Sequence, residues 1–223
     1  MFRGVIFDLD GTLVDGYDAI AAGVNAARAR FGLPPLAVDD VRGRVGLGLS
    51  HLMDDVVGPE RADEGAAIFR ATYDDAWRRG TRAVPSLSPT LNALRARGSR
   101  LSVASNKPVR YSRLILEHLG VAERFDLVAG PETAGAIKPD PAMLHACLRA
   151  MALPADQAVY VGDMALDADA GARAGVAVVL VAGGSSARDE LLATGRPVLD
   201  RLADLPEWLA GTPQRDPAGP PKR

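Results

Sequence analysis

Lysine is nearly missing from this chain. Of 26 lysines and arginines in 223 residues, only Lys107, Lys138 and Lys222 are lysine. Where arginine is the default cation, a lysine inside a motif points to a compact ammonium that fits between two anions, as a planar guanidinium does not. Lys222 sits in a Pro- and Gly-rich end and carries no such implication. There is one cysteine, so no disulfide forms within the chain, which suits a reducing cytoplasm. Cys147 lies among Met143, Leu144, Leu148 and Met151 and reads as a small buried hydrophobe rather than a reactive thiol. His51, His118 and His145 share no metal-ligand spacing. The last two read as ordinary helix residues; His51 reads as a surface residue, with a substrate-facing role the lesser alternative. Long apolar runs are absent: the longest aliphatic stretch, 176 to 182, is far too short to span a bilayer. Asp8 arrives too early for a signal peptide. A net charge of -2 leaves no excess of either sign, so neither a nucleic acid nor an anionic membrane is expected as partner. A cytoplasmic protein is expected, monomer or homodimer.

What is present is a set of apolar runs that stop at polar residues. Val5-Ile6-Phe7 reads as a buried strand and ends at Asp8-Leu9-Asp10-Gly11-Thr12. In a strand, residues i and i+2 face the same way, so Asp8 and Asp10 point to one side, and Gly11 permits a tight turn. Two like charges at the end of a buried strand repel each other, and folding alone gives no reason for them. Leu101 to Ala104 ends likewise in Ser105-Asn106-Lys107, and Ala158 to Val161 runs into Gly162-Asp163, with Asp167 one helical turn on. Between them stands Lys138-Pro139-Asp140-Pro141.

Periodicity divides the chain in two. Residues 15 to 83 carry about four helical stretches and no strand: 17–31 with Ile20, Val24, Ala27 and Phe31 on one face, a short helix opened by Asp39-Asp40, 49–57, and 60–79. Phe69 and Trp77 at helical spacing read as core. Gly43 to Gly48 form a loop. From residue 84, helices and strands alternate: helices 86–97, 108–119, 141–151, 167–174 and 186–194, and strands 100–104, 126–129, 158–161, 176–181 and 197–199. Such alternation implies an α/β fold with a doubly wound parallel sheet. The expected organisation is a core of 1–14 and 84–211, an inserted all-α cap of 15–83, and a disordered tail of 212–223. Ligands of such sheets bind at the carboxyl ends of the strands, so Asp8, Ser105, Lys138 and Asp163 should meet in one crevice under the cap.

These four segments, in this order, resemble the four motifs of the haloacid dehalogenase superfamily of aspartate-nucleophile phosphotransferases, over residues 2 to 211. The resemblance implies a magnesium-dependent phosphatase. Asp8 would take the phosphoryl group as an aspartyl phosphate, and Asp10 would protonate the leaving alcohol and then activate water. Asp8, Asp163 and the main-chain carbonyl of Asp10 would hold magnesium. Asp167 would orient a metal-bound water, or serve only as a helix N-terminal acid. Lys138 would offset the repulsion between Asp8 and the phosphate dianion. Ser105 and the N–H of Asn106 would bind phosphate, with Thr12 counted beside them or fixing the loop, and Lys107 is either a surface lysine beside Pro108 or a residue with a direct role.

The segment Val41 to Leu49 is similar to the cap loop of the phosphoglycolate phosphatase-like branch. Arg42 or Arg44 is therefore expected to recognise an acidic group on a small phosphorylated metabolite such as phosphoglycolate. Two departures from that branch stand out: Ser86 where glycine is usual after Pro85, and Gly16 where serine or threonine is frequent; neither is expected to touch the chemistry. Pyrophosphatases, sugar-phosphate phosphatases and β-phosphoglucomutase-like mutases share the cap. Dehalogenases lack the second carboxylate, which Asp10 supplies. A receiver module, phosphorylated on aspartate, is shorter and has no helical insertion. An inactive regulatory homologue would have lost catalytic positions that are intact here.

Overall fold

The computed structural model describes residues 2–212. The tail expected over 212–223 therefore lies, apart from Thr212, outside the described residues. The first strand, β1 (Gly4–Phe7), is buried throughout. Val5 and Phe7 belong to one apolar cluster and Ile6 to another, so the strand is covered on both faces. That is why its sequence reads as an unbroken apolar run. After Gly11, which turns with φ 83, comes the short β2 (Val14–Asp15).

Four helices follow: α1 (Tyr17–Arg30), α2 (Val38–Arg42), α3 (Gly48–Val57) and α4 (Ala62–Gly80). The chain then returns through β3 (Arg82–Ala83). The expected face of α1 is buried at Ile20, Val24 and Ala27, with Phe31 half-buried beyond its end. Phe69, Tyr73 and Trp77, one α4 turn apart, are buried as expected. At Gly80 the two helices almost touch: a Cβ there would lie 2.6 Å from the backbone nitrogen of Ala19. Where the helical module meets the sheet, β2 and β3 pair antiparallel, Val14 opposite Ala83 and Asp15 opposite Arg82. Periodicity reveals no such ribbon, because two residues are too few to show a period.

Beyond it the alternation appears as expected: α5 (Leu87–Ala96), β4 (Arg100–Ala104), α6 (Val109–His118), β5 (Leu127–Ala129), α7 (Pro131–Ala134), α8 (Ala142–Met151), β6 (Ala158–Gly162), α9 (Ala165–Ala174), β7 (Ala177–Val181), α10 (Arg188–Ala193), β8 (Val198–Leu199) and α11 (Leu205–Gly211). The short α7 and α11 were not expected; each has proline in its first two positions and runs for under two turns. The sheet order is β5-β4-β1-β6-β7-β8, with every pair parallel. Helices α5, α6 and α11 cover the Phe7 face, and α8 and α9 cover the Ile6 face. Cys147 lies buried on α8, where burial pushes its thiol up to about 12. His118 packs edge-to-face against Trp77, ring centres 5.8 Å apart. No helix among the described residues is long and apolar enough to cross a membrane.

The chain winds from β1 to β4 and β5 on one side, then crosses back to β6, β7 and β8 on the other. The switch point is therefore β1, and the crevice opens at its carboxyl end. Phe7 sits opposite Val103 on β4 and Val161 on β6, so all three strands end at one level.

Ser86 takes the left-handed conformation, φ 64, that a glycine would adopt without strain. The departure from the expected Pro-Gly thus changes the side chain and keeps the turn. Ser86→Gly is expected to stabilise the protein by about 0.5–1 kcal/mol, the steric relief exceeding the added freedom of the unfolded chain. Urea denaturation reads the shift; an unchanged or lowered midpoint would show that the turn holds no strain.

Candidate active site

One pocket gathers Asp8, Asp10, Ser105, Asn106 and Lys107 from the strand ends, Lys138 from the loop after α7, and Val45, Leu49, Phe69, Arg70 and Tyr73 from the helical module. Asp8 follows β1 directly, its N–H donating to the Val161 carbonyl at 2.8 Å. Its Oδ2 meets Lys138 Nζ at 3.0 Å, while Oδ1 is buried without a partner. Burial is the larger influence on this carboxyl and pushes it up to about 6, against the pull of Lys138.

Lys138 is itself 2% exposed and rests on three oxygens. Besides Asp8 these are Asp167 Oδ1 at 2.7 Å and the Tyr160 hydroxyl at 3.0 Å. Burial opposes its charge, but the carboxylates of Asp167 and Asp8 outweigh burial and hold the ammonium charged. Asp167 has no acceptor capacity left over. Its Oδ1 also faces the Tyr160 hydroxyl at 2.9 Å, and its Oδ2 accepts the N–H groups of Asp163 at 3.1 Å and Met164 at 3.0 Å. Of the two roles expected for Asp167, these bonds favour that of a helix N-terminal acid, to which they add a clamp on Lys138. Tyr160, within β6, was missed by sequence reasoning. The signal for it was present, since a tyrosine in a fully buried strand must place its hydroxyl on a polar partner.

Asp163, at the end of β6, is fully buried. Its Oδ1 accepts the Thr12 hydroxyl at 3.0 Å and its Oδ2 the backbone N–H of Ser185 at 2.6 Å. The Thr12 hydroxyl is thus spent on Asp163 rather than offered to a phosphate. The loops bearing Gly11 and Gly184 come so close that a Cβ on either would overlap the Asp163 carboxylate, at 2.3 and 2.1 Å. Burial, and then Asp167 and Asp8, push the Asp163 carboxyl well above the usual carboxylate range. Four buried carboxylates here face two buried ammonium groups. Oxygens of Asp8, Asp163 and Asp167 lie within 4.8 Å of one another, and Asp8 Oδ1 is unpaired. An uncompensated cluster of hard oxygen donors fits a small divalent cation. Asp8 and Asp163 retain capacity for it.

Asp10 has a neighbour that local sequence reading left undecided. Lys107 is not a surface residue: its side chain is 8% exposed, and Nζ lies 2.8 Å from Asp10 Oδ2. The same ammonium sits 4.8 Å from the ring centre of Tyr73, on α4. Burial works against its charge, but Asp10 and Tyr73 outweigh it. Ser105 is buried, and its Oγ accepts the Lys107 N–H at 3.4 Å. The Asn106 side chain fastens the loops together, accepting the Lys138 N–H at 2.7 Å and donating to Gly46 O at 2.7 Å, across to the helical module.

The two arginines expected to read the substrate are not in the pocket. Arg42 lies over the Tyr17 ring at 4.1 Å, pairs with Asp15 at 3.8 Å and donates to Gly183 O at 3.2 Å. Arg44 pairs with Asp55, and exposed His51 is also outside the pocket. The arginine that lines it is Arg70, on α4, which makes no ion pair among the described residues. No local signal singled it out.

The family model described as haloacid dehalogenase-like hydrolase covers residues 5–181. A phosphoglycolate phosphatase of Rhodospirillum rubrum is 38% identical over 226 residues, spanning 96% of this chain and 93% of its own. One from Aquifex aeolicus is 34% identical over 80% of this chain and 84% of its own. A crystal structure described as a predicted phosphoglycolate phosphatase from Haemophilus somnus superposes with a TM-score of 0.86 at 27% identity, over 93% of this chain and 98% of that one. With Asp8 ending the first strand, Lys138 beside it and Asp163 ending β6, the chain belongs to the haloacid dehalogenase-like hydrolase family.

Proposed function

We propose that this protein is a magnesium-dependent phosphatase of a small acidic phosphomonoester, phosphoglycolate or a close relative, acting in the cytoplasm with no nucleic-acid or membrane partner. Residues 1–14 and 84–211 form the catalytic core, and 15–83 the cap over it. The observation that carries the reading is Asp8: it lines the pocket, one carboxylate oxygen is held by Lys138, and the other is buried and unpaired. Folding gives no use for such an oxygen; a nucleophile needs it. The relatives' names supply the substrate class.

In this reading Asp8 Oδ1 attacks the phosphorus, and the bond to the leaving oxygen breaks as the aspartyl phosphate forms. Asp10 gives a proton to the leaving oxygen, then takes one from the water that hydrolyses the acyl phosphate, releasing inorganic phosphate and free Asp8. Lys138, held by Asp167 and Tyr160, offsets the charge of phosphate against Asp8, and Ser105 donates its hydroxyl to a phosphate oxygen. Asp8, Asp163 and the Asp10 carbonyl would hold magnesium, which supplies charge neutralisation for the transferring group. The substrate's own carboxylate is met by Arg70 rather than by Arg42 or Arg44.

Asp8→Asn is expected to lower kcat by at least about a thousandfold, roughly 4 kcal/mol of barrier, with circular dichroism and Tm little changed. Retention of a tenth of wild-type kcat would sink the nucleophile assignment.

Excess chelator is expected to abolish turnover of para-nitrophenyl phosphate and magnesium to restore it. Calcium, which takes more and longer ligands, is expected to fail in that restoration. Full activity in chelator rejects the metal requirement.

Arg70→Met is expected to lower kcat/KM for phosphoglycolate by about tenfold, or 1.4 kcal/mol, relative to para-nitrophenyl phosphate, which has no carboxylate. Arg44→Met should leave the ratio of the two unchanged. The assignment fails if Arg70→Met affects both substrates alike.

A further inference from the structure

Lys138 accounts for one of the two lysines in the motifs, and the other has no part in the chemistry so far. Lys107 is buried at the mouth of the pocket, and burying an ammonium is costly unless its partner is well placed. Its partner is Asp10, at 2.8 Å through Oδ2. Among the described residues no other side chain bonds to that carboxylate, and Oδ1 is buried with no partner at all. The residue facing Oδ1 is Gly16: a Cβ there would stand 2.8 Å from it, but glycine offers nothing to hold it with. Gly16 therefore does border the chemistry, contrary to the sequence-based expectation, and it leaves the orientation of Asp10 to a single neighbour.

That neighbour is itself fixed from three sides. Its N–H donates to Ser105 Oγ at 3.4 Å. The preceding Asn106 is pinned to the backbone of Lys138 and Gly46. Its ammonium lies over the Tyr73 ring at 4.8 Å, an arrangement that favours a cation and limits where it can move. Tyr73 is in turn wedged between Phe69, stacked at 5.5 Å, and Tyr111, edge-on at 4.9 Å.

We propose that Lys107 is a positioning residue: its ammonium, seated on Tyr73, holds Asp10 by Oδ2 so that Oδ1 is presented to the leaving oxygen of the substrate. The inference rests on the phosphatase reading, in which Asp10 serves that oxygen. It also makes the α4 ring part of the acid's alignment, since moving α4 removes the seat of the ammonium.

Two esters without a carboxylate test it. The phenolate of para-nitrophenyl phosphate departs without a proton, whereas the alkoxide of ethyl phosphate requires one. Lys107→Met keeps most of the stem's volume and removes the charge. It is expected to lower kcat/KM for ethyl phosphate at least tenfold more than for para-nitrophenyl phosphate. Lys107→Arg keeps a buried cation but cannot place a planar group at the ammonium's position, and should show the same selective loss to a smaller degree. It carries the test if circular dichroism shows Lys107→Met unfolded. Equal losses on both esters would reduce Lys107 to a packing role and overturn the proposal. A loss confined to phosphoglycolate, sparing ethyl phosphate, would overturn it in favour of substrate-carboxylate binding. A wild-type enzyme that turns over neither ester overturns the phosphatase reading itself, and this role with it.

Discussion

Mutual repulsion among four buried carboxylates is the constraint around which this molecule is arranged. Asp8, Asp10, Asp163 and Asp167 are brought to the end of a sheet where water is scarce and like charges are expensive. Each is held there by a different device. Asp167 is saturated by two backbone N–H groups, an ammonium and a phenol; Asp163 is cradled by a hydroxyl and an N–H; Asp10 is tied to Lys107. Asp8 and Asp10 each keep a buried oxygen with no partner in the fold, beside the lysine that holds the other oxygen. Charge left over after the two lysines is what makes the cluster receptive to a divalent cation.

The parallel sheet is the reason the four can meet at all. A strand delivers its last residue to one edge, and parallel order makes that the same edge for β1, β4 and β6. Because the winding reverses at β1, no crossover helix covers that edge between its neighbours, and a pocket remains. The helical module then closes it from above. Its attachment is narrow, two paired residues on β2 and β3, but it reaches the core at Asn106 through Gly46 and at Lys107 through Tyr73. The α4 side chains that line the pocket, Phe69, Arg70 and Tyr73, are thus set by the packing of α4 against α1.

Legibility in the sequence divides along the same line. Asp8, Ser105 and Asp163 could be placed because each ends an apolar run, and a strand end is a local property. Lys138 was legible through its rarity as a lysine. The two-residue strands carry no period, so the hinge ribbon was invisible. Lys107 stayed undecided between surface and site because its burial depends on Asp10, 97 residues away, and on a ring of α4; beside Pro108 its local sequence resembles an exposed loop. Arg42 lies outside the pocket for the opposite reason: its place beside Gly43, in a segment resembling a cap loop, suggested substrate contact, while its partners Asp15 and Gly183 O hold it over the Tyr17 ring. Local pattern shows which residues stand at strand ends. It does not show which long side chains reach back to them.

The scarcity of lysine acquires a physical meaning from the two that are buried. Each stands where one cation must touch two groups at once from inside a packed core: Asp8 and Asp167 for Lys138, Asp10 and the Tyr73 ring for Lys107. A guanidinium spreads its charge over a plane and demands a matching pair of acceptors in that plane. Arg44 with Asp55 and Arg100 with Asp126 meet a single carboxylate at the surface, where orientation costs little. In the core an ammonium can donate in three divergent directions from a narrow stem. A chain otherwise built on arginine therefore keeps lysine at two positions where the cation's shape, and not its charge alone, decides whether the carboxylates can coexist.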